Sequence, residues 1–163
     1  MRQSIIIPFV LLLVALWVGI VFAEDSRFVF KDLTVSDKHN GIIWVRNANL
    51  GKQDIDGANE LVKELNRNKY AGFEGWRLPT IGELESLVKY ANDLGYSSSP
   101  KEPYKLFNVI GFHNVQGGAY WSSSTNIFMA FSGGAWGVNM DNGNTDYKNK
   151  SNLIYVWPVR EGT

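Results

Sequence analysis

The pattern of apolar and polar positions predicts strands at the start of the folded region. Apolar residues recur at every second position, at 28 and 30 and again at 33 and 35, which is typical of a strand with one buried face. Turn-forming residues follow at 37–41, and the run Ile42-Ile43-Trp44-Val45 is continuously apolar. Such a run indicates a strand that is covered on both faces. The segment 27–47 therefore predicts a β-hairpin.

A helical period follows the hairpin. Asp54 has the side chain of an N-cap residue, because its carboxylate can accept a hydrogen bond from a free backbone N–H of the first turn. The apolar positions after it recur at helical spacing: Ile55, Ala58, Leu61, Val62 and Leu65. We expect a first helix here, ending in the polar and glycine-containing segment 66–75.

A second helix is predicted after Pro79. Proline disfavours a helical conformation for Leu78, so the chain arrives extended. Thr80 and Glu83 have the spacing of a capping box, in which each side chain accepts a free backbone N–H. The apolar stripe of this helix consists of Leu84, Leu87, Val88 and Ala91.

The helix start accounts for all of the segment Trp76-Arg77-Leu78-Pro79-Thr80 except Arg77. Trp76 and Leu78 are expected in the core. An arginine beside a buried tryptophan usually pairs with a carboxylate or a carbonyl oxygen, and a ligand-binding role for Arg77 stays open as the alternative.

The second half of the chain is rich in short β-like runs. A loop is predicted at 95–107, where serines and two prolines occur. Short runs at 119–125, 127–131, 135–140, 145–150 and 153–160 are separated by Gly, Asn and Asp. Asn142-Gly143 is a strong hairpin signal. The expected fold class is α+β with an antiparallel sheet.

The first 23 residues have the properties of a targeting segment. Arg2 is positive, residues 5–22 are almost wholly apolar, and Val21-Phe22-Ala23 has small residues where a signal peptidase cleaves. An uncleaved membrane anchor is the alternative, because 18 apolar residues can span a bilayer. We therefore expect an extracytoplasmic protein with residues 24–163 as a single domain, which touches the membrane only through residues 1–23 if these are retained.

Composition narrows the function classes. The chain has 16 basic and 16 acidic residues, which argues against nucleic acid as a partner. It has no cysteine and two histidines, so thiol chemistry and a three-histidine metal site are impossible. His39 and His113 lie in turn-like contexts and are expected at the surface. Ser122-Ser123-Ser124 lacks the flanking glycines of a nucleophile elbow. We expect no enzyme activity, no cofactor and no metal.

The segment 141–146, Asp-Asn-Gly-Asn-Thr-Asp, offers oxygen ligands that calcium could use. It lacks the length and the terminal Glu of an EF-hand loop. The hairpin explanation of Asn142-Gly143 is favoured over a calcium site.

Surface recognition remains as the function that the composition allows. Strand alternation places Trp136 with Val138 and Met140 on one face, which predicts a core position for Trp136 as for Trp121. Asn139 and Asp141 then point the opposite way. The candidate ligand-binding residues are Arg77, Asn139, Asp141, Asn142, Asn144, Tyr147, Lys148 and Lys150.

Five motifs in order carry a family resemblance. They are TVSDKHNGIIWVR, WRLPTIGELESLV, YWSSS, WGVNMDNGNTDYKNKS and YVWPVR, between residues 33 and 160. In this order they resemble a family of exported bacterial domains that includes the C-terminal domain of the Legionella collagen-like adhesin.

The resemblance implies a C-type-lectin-like fold, in which two helices flank twisted antiparallel sheets and the termini meet. It also implies an extracytoplasmic domain whose best-known relative binds sulfated polysaccharides. Many relatives carry a cysteine in the first helix and another in the last strand, where this chain has Val62 and Pro158. If those cysteines pair, both halves of the crosslink are replaced here by apolar residues.

The expected function is a non-catalytic, adhesin-like domain that binds a glycan, including a sulfated polysaccharide, or an envelope protein. One alternative is a structural envelope protein that self-associates as a homo-oligomer. Another, less favoured, is a hydrolase that uses carboxylates.

Overall fold

The computed structural model of the chain describes residues 26–125 and 134–162. The predicted signal peptide or anchor at 1–23 and the strand predicted at 127–131 lie outside these residues. The elements in chain order are β1 (Phe28–Phe30), β2 (Thr34–Asp37), β3 (Ile42–Val45), β4 (Lys52–Gln53), α1 (Ile55–Arg67), a 3-10 turn (Tyr70–Gly72), α2 (Ile81–Asp93), α3 (Pro103–Ile110), β5 (Ala119–Trp121), β6 (Gly134–Asn139), β7 (Thr145–Asn149), β8 (Ile154–Tyr155) and β9 (Val159–Glu161).

These strands form two sheets. A four-stranded sheet has the order β1-β2-β3-β9, and a five-stranded sheet has the order β4-β8-β5-β6-β7. Every pairing is antiparallel except that of β5 with β8. The predicted α+β class with antiparallel sheets is confirmed.

The first and last strands belong to the same sheet. Phe28, Asp37, Ile42 and Glu161 lie in one row across its four strands. Three strand spacings therefore separate the start of β1 from the end of β9, about 14 Å. Both ends of the domain leave at the same end of this sheet.

The N-terminal hairpin is a three-stranded meander. A turn closed by the Lys31 N–H and the Thr34 carbonyl, 2.8 Å apart, divides the predicted first arm into β1 and β2. Leu33 lies in this turn and is 47% exposed, so its expected place on a buried face is wrong. The run Ile42–Val45 is buried at every position, as its continuous apolarity predicts.

Helices α1 and α2 begin where the caps predict. The Asp54 side chain accepts the Gly57 N–H at 2.8 Å. A Cβ atom on Gly57 would lie 2.9 Å from the Gln53 side-chain oxygen, so that flexible side chain would have to shift to admit alanine. Glycine inside a helix costs about 1 kcal/mol relative to alanine. Thr80 and Glu83 form the complete capping box of α2.

Helix α3 begins inside the loop predicted at 95–107 and replaces its last five residues. Proline is tolerated in the first turn of a helix, where no intrahelical donor is needed, and Pro103 occupies that place. Leu106 and Phe107 are buried against the core. The local serine and proline signals pointed to a loop, but burial of this apolar face stabilises a helix of eight residues.

The last predicted strand is divided between the sheets. β8 pairs in the five-stranded sheet and β9 in the four-stranded one. Between them Trp157 is fully buried and its indole N–H donates to the Val45 carbonyl at 2.8 Å. Pro158 has no N–H to donate, but its carbonyl accepts the Val45 N–H at 3.0 Å. The single strand predicted at 153–160 is therefore wrong.

Two hydrophobic clusters fill the interior. The larger one includes Trp44, Phe107, Tyr120 and Trp157. The smaller one consists of Ile55, Ala58, Leu78, Trp121 and Val156. Val62 packs against both clusters from α1.

Candidate functional site

The segment Trp76–Thr80 joins α2 to the last strand. Trp76 and Leu78 are 3% and 4% exposed, which confirms their predicted core positions. Between them, Arg77 exchanges two backbone hydrogen bonds with Val159, of 2.8 and 2.9 Å. The segment is therefore an element of the fold.

The Arg77 side chain also serves the fold. Its guanidinium donates to both carboxylate oxygens of Glu83 at 2.9 and 2.7 Å, and to Glu161 at 2.5 Å. The hydrogen bond to Glu83 is the main reason that the pKa of Arg77 is raised. Arg77 lines neither of the two clefts described below.

Replacing Glu83 by glutamine is expected to destabilise the protein by about 1 to 2 kcal/mol at pH 7. Burial alone would raise the pKa of Glu83, but the hydrogen bonds from Arg77 and the Thr80 N–H lower it below its ordinary value of 4.5. A lowered folded-state pKa contributes stability above pH 4.5 that is lost as the pH falls through the folded-state value. Urea unfolding of wild type and Glu83→Gln at several pH values from 7 to 3 measures how this stability depends on pH.

The difference in the free energy of unfolding between wild type and Glu83→Gln should become smaller below pH 4.5. Glu85→Gln is the control on the exposed face of the same helix. A difference that is constant over the whole range would contradict the assignment of the effect to the Glu83 charge.

The serine run 122–124 caps helix α2. The Ser124 hydroxyl oxygen accepts the Ile81 N–H at 3.0 Å, and the Ser122 hydroxyl oxygen accepts the Ser124 N–H at 3.0 Å. Ser123 donates its N–H and its hydroxyl to the Pro79 carbonyl at 2.8 and 3.2 Å. These bonds account for the three serines without a nucleophilic role.

The predicted hairpin at Asn142-Gly143 joins β6 to β7. Gly143 has φ of +77° and donates its N–H to the Asn139 carbonyl at 2.7 Å. The side-chain oxygens of Asn139 and Asn142 accept the N–H groups of Asp141 and Asn144, at 2.7 and 2.9 Å. The turn itself therefore uses the amide oxygens that a calcium site would need.

We expect that calcium does not stabilise the protein. Within residues 26–125 and 134–162, no three His, Asp or Glu side chains are grouped closely enough to hold a metal ion. Adding millimolar calcium, compared with EDTA, should change the melting temperature by less than about 1 °C, since a ligand stabilises only when it binds the folded state. An increase of several degrees that Asp141→Asn removes would overturn this expectation.

A cleft of about 340 Å³ lies where β6, β7 and the start of α1 meet. We call it the aromatic cleft. In the described part of the chain it is lined by Ile55, Asp56, Asn59, Leu78, Ser122, Ser123, Ser124, Thr125, Gly134, Ala135, Trp136, Tyr147 and Lys150. The hydrogen bond from the Ile55 N–H to the Lys150 carbonyl, 3.1 Å, brings α1 against the end of β7.

Two aromatic rings meet in this cleft. Trp136 and Tyr147 are cross-strand neighbours with ring centres 5.4 Å apart and planes at 71°. The Tyr147 hydroxyl accepts the Gly134 N–H at 3.1 Å, which holds its ring in place. The rings therefore form a corner that offers apolar surface in two directions.

The predicted core position of Trp136 is wrong. Val138 and Met140 are fully buried, but Trp136 is only half-buried. The ladder of β5 with β6 ends at the pair Trp121 and Gly137. Trp136 lies one residue beyond this pair, where the strand extends past the core. Trp121 is fully buried as predicted, and its indole donates to the Gln53 carbonyl at 2.8 Å.

Polar side chains surround the corner. Asp56 and Asn59 are exposed on the first turns of α1, and Lys150 is exposed beyond β7. Sequence reasoning missed Asp56 and Asn59, because only the packing of α1 on the five-stranded sheet brings them to the cleft. Their spacing of three residues on a polar helix face was the one local signal.

The structure divides the predicted ligand-binding residues among several places. Tyr147 and Lys150 line the aromatic cleft. Lys148 forms an ion pair with Asp146 at 3.1 Å. The hairpin between β6 and β7 carries Asn139, Asp141, Asn142 and Asn144 outside the cleft.

A second cleft, of about 440 Å³, lies between the β2–β3 turn and α2. Arg27 and Asp37 form an ion pair of 2.7 Å on its inner side, with side chains 10% and 0% exposed. These buried charges satisfy each other and hold the turn, so they are structural. His39 is exposed at the rim, and His113 is exposed elsewhere, as predicted.

The acidic groups with shifted pKa values have cationic partners. The pKa of Glu60 is lowered mainly by Arg67, and that of Glu102 mainly by Lys105. The pKa of Glu83 is also lowered, by hydrogen bonds from Arg77 and from the Thr80 N–H of the helix cap. A general acid needs a raised pKa, so these shifts point to structural ion pairs instead.

In the portion of the chain that the structure describes, no helix has the length and apolarity needed to cross a bilayer.

Comparison with known proteins identifies the family. No curated protein gives a significant match to the chain. The family model named for the Lcl C-terminal domain matches residues 33–160 and associates the chain with adhesin-related domains of the cell exterior. This protein belongs to the Lcl C-terminal domain family.

Proposed function

We propose that this protein is a non-catalytic binding domain that recognises a glycan in the aromatic cleft. The observation that carries the proposal is the half-buried ring of Trp136 at 71° to the ring of Tyr147, in one cleft with Asp56, Asn59 and Lys150. The C-type-lectin-like fold implied by the family resemblance is part of this proposal.

The chemistry of the cleft suits a sugar ring. One face of a pyranose is mostly C–H and packs on an aromatic ring, while its hydroxyls need hydrogen-bond partners at the edge. Asp56 can accept such bonds, and Asn59 can both donate and accept them. A concave, largely apolar pocket with a few polar groups is the usual form of a small-ligand site.

A sulfated polysaccharide is the charged form of this ligand. Lys150 is the cation that lines the cleft, since Lys148 is paired with Asp146. Binding that depends on one exposed lysine should fall modestly with salt, because exposed charges are screened within about 10 Å at 0.1 M ionic strength.

An envelope protein as ligand and self-association into a homo-oligomer remain alternative proposals. Five large apolar side chains are more than a third exposed among the described residues: Val29, Leu33, Leu94, Val109 and Leu153. They come from separate elements, which favours the cleft over a continuous apolar interface. Sedimentation at micromolar concentration distinguishes a monomer from an oligomer.

A carboxylate-based hydrolase is the third alternative, and release of reducing ends from a polysaccharide panel would support it.

Glycan-array binding of residues 24–163 tests the proposal, since every described element lies within them. The array is probed with calcium and again with EDTA. We expect saturable binding in both conditions. An array without any binding would overturn the proposal in favour of a protein ligand or self-association.

A further inference from the structure

We infer that the aromatic cleft selects a neutral sugar that carries an acetamido group, an N-acetylhexosamine. The inference rests on the proposed glycan-binding function of the same cleft. An acetamido group presents a methyl, an N–H donor and a carbonyl acceptor within a few ångströms. A site that selects it must offer apolar surface directly beside polar side chains.

The floor of the aromatic cleft provides the apolar surface. Ile55 and Leu78 are 9% and 4% exposed and belong to the smaller hydrophobic cluster, against which Ala135 also packs. All three line the cleft. A sugar hydroxyl placed on this floor would lose its hydrogen bonds to water, whereas a methyl group gains from burial there.

The polar partners lie at the edge of this floor. Asp56 follows Ile55 directly in the chain, and Asn59 lies on the same helix, three residues after Asp56. A carboxylate accepts the acetamido N–H, and an amide such as that of Asn59 donates to its carbonyl. Trp136 and Tyr147, which line the same cleft, would contact the sugar ring itself.

The charge of the cleft favours a neutral ligand. Among its described lining residues, Asp56 is the acid and Lys150 the base, so their formal charges cancel. A polyanion would meet the Asp56 carboxylate without a cationic excess to compensate. The volume of about 340 Å³ lies at the small end of ligand pockets and suits one or two sugar units.

A matched pair of trisaccharides tests the inference by titration calorimetry. Triacetylchitotriose and cellotriose have the same β1,4-linked glucose backbone and differ in the acetamido groups. We expect triacetylchitotriose to bind about 10-fold more tightly, from one buried methyl group and one hydrogen bond. Ala135→Val, which fills the floor and retains the rings, should remove most of this preference, whereas Ala119→Val outside the cleft should not.

The outcomes separate the inference from the proposed function. Equal affinity for the two trisaccharides would overturn the acetamido inference and leave glycan binding intact. The acetamido inference would also be overturned, with glycan binding intact, if neither trisaccharide binds while the array shows binding of another sugar. Loss of all glycan binding, on the array and in calorimetry, would overturn both. A preference that survives in Ala135→Val would also overturn the inference, because the floor would then not be its source.

Discussion

Replacing Trp136 by alanine should lower glycan affinity by about 30-fold, a loss of about 2 kcal/mol. The ring is half-buried, lies against Tyr147 and lines the cleft. Truncation removes one of the two apolar walls on which a sugar ring would pack. Central aromatic side chains of this kind commonly contribute most of the binding energy of an interface. Titration of the best array ligand into wild type and variant measures the change.

The fold should tolerate this substitution. Trp136 belongs to neither hydrophobic cluster, so its main loss is the cross-strand pair with Tyr147, about 1 kcal/mol or less. Tyr96→Ala is the matched control, a partly buried aromatic residue that does not line the cleft. If Trp136→Ala binds as tightly as Tyr96→Ala, the aromatic cleft is not the glycan site.

Replacing Trp157 by alanine should destabilise the protein by about 4 kcal/mol. The indole is fully buried, lies 4.7 Å from the Trp44 ring and 5.3 Å from the Phe112 ring, and donates to the Val45 carbonyl. Alanine would leave a large cavity and an unpaired carbonyl where the chain passes from one sheet to the other. Domains of this size are stable by only about 5 to 15 kcal/mol, so much of the total would be lost.

Urea unfolding followed by circular dichroism measures this loss without relying on tryptophan fluorescence. Trp157→Phe keeps most of the ring contacts and should cost about 1 to 2 kcal/mol. Leu153→Ala, at a position 63% exposed in the same segment, should stay within about 0.5 kcal/mol. A loss below 2 kcal/mol for Trp157→Ala would show that the two sheets do not depend on this contact.

Local sequence signals located the starts of α1 and α2 correctly. Asp54 and the pair Thr80 and Glu83 satisfy N–H groups within three residues of themselves, so their role is independent of the rest of the fold. The turn at Asn142-Gly143 is equally local, because positive φ at Gly143 needs no distant partner. The α+β class followed from these signals and from the periods of the apolar positions.

Local sequence patterns gave wrong predictions for segments whose structure depends on packing against distant residues. Helix α3 forms despite Pro103 and the serines before it, because Leu106 and Phe107 find a buried surface. The apolar run 153–160 has the pattern of one strand, yet it forms β8 in one sheet and β9 in the other, with Trp157 and Pro158 between them. The period of a strand shows which residues share a face, but not where the core beneath that face ends. Trp136 is the clearest case.

By itself, the sequence determined the caps of α1 and α2, the turn at Asn142-Gly143, the α+β class and the exclusion of thiol chemistry. These depend on residue identity and on contacts within a few positions of the chain. The tertiary structure alone decided that Arg77 is held by two carboxylates and that Trp136 lines a cleft with Asp56 and Asn59. Glu161 is 84 residues from Arg77 in the chain, and Trp136 is far from Asp56 and Asn59, so only the packing of the elements brings these residues together.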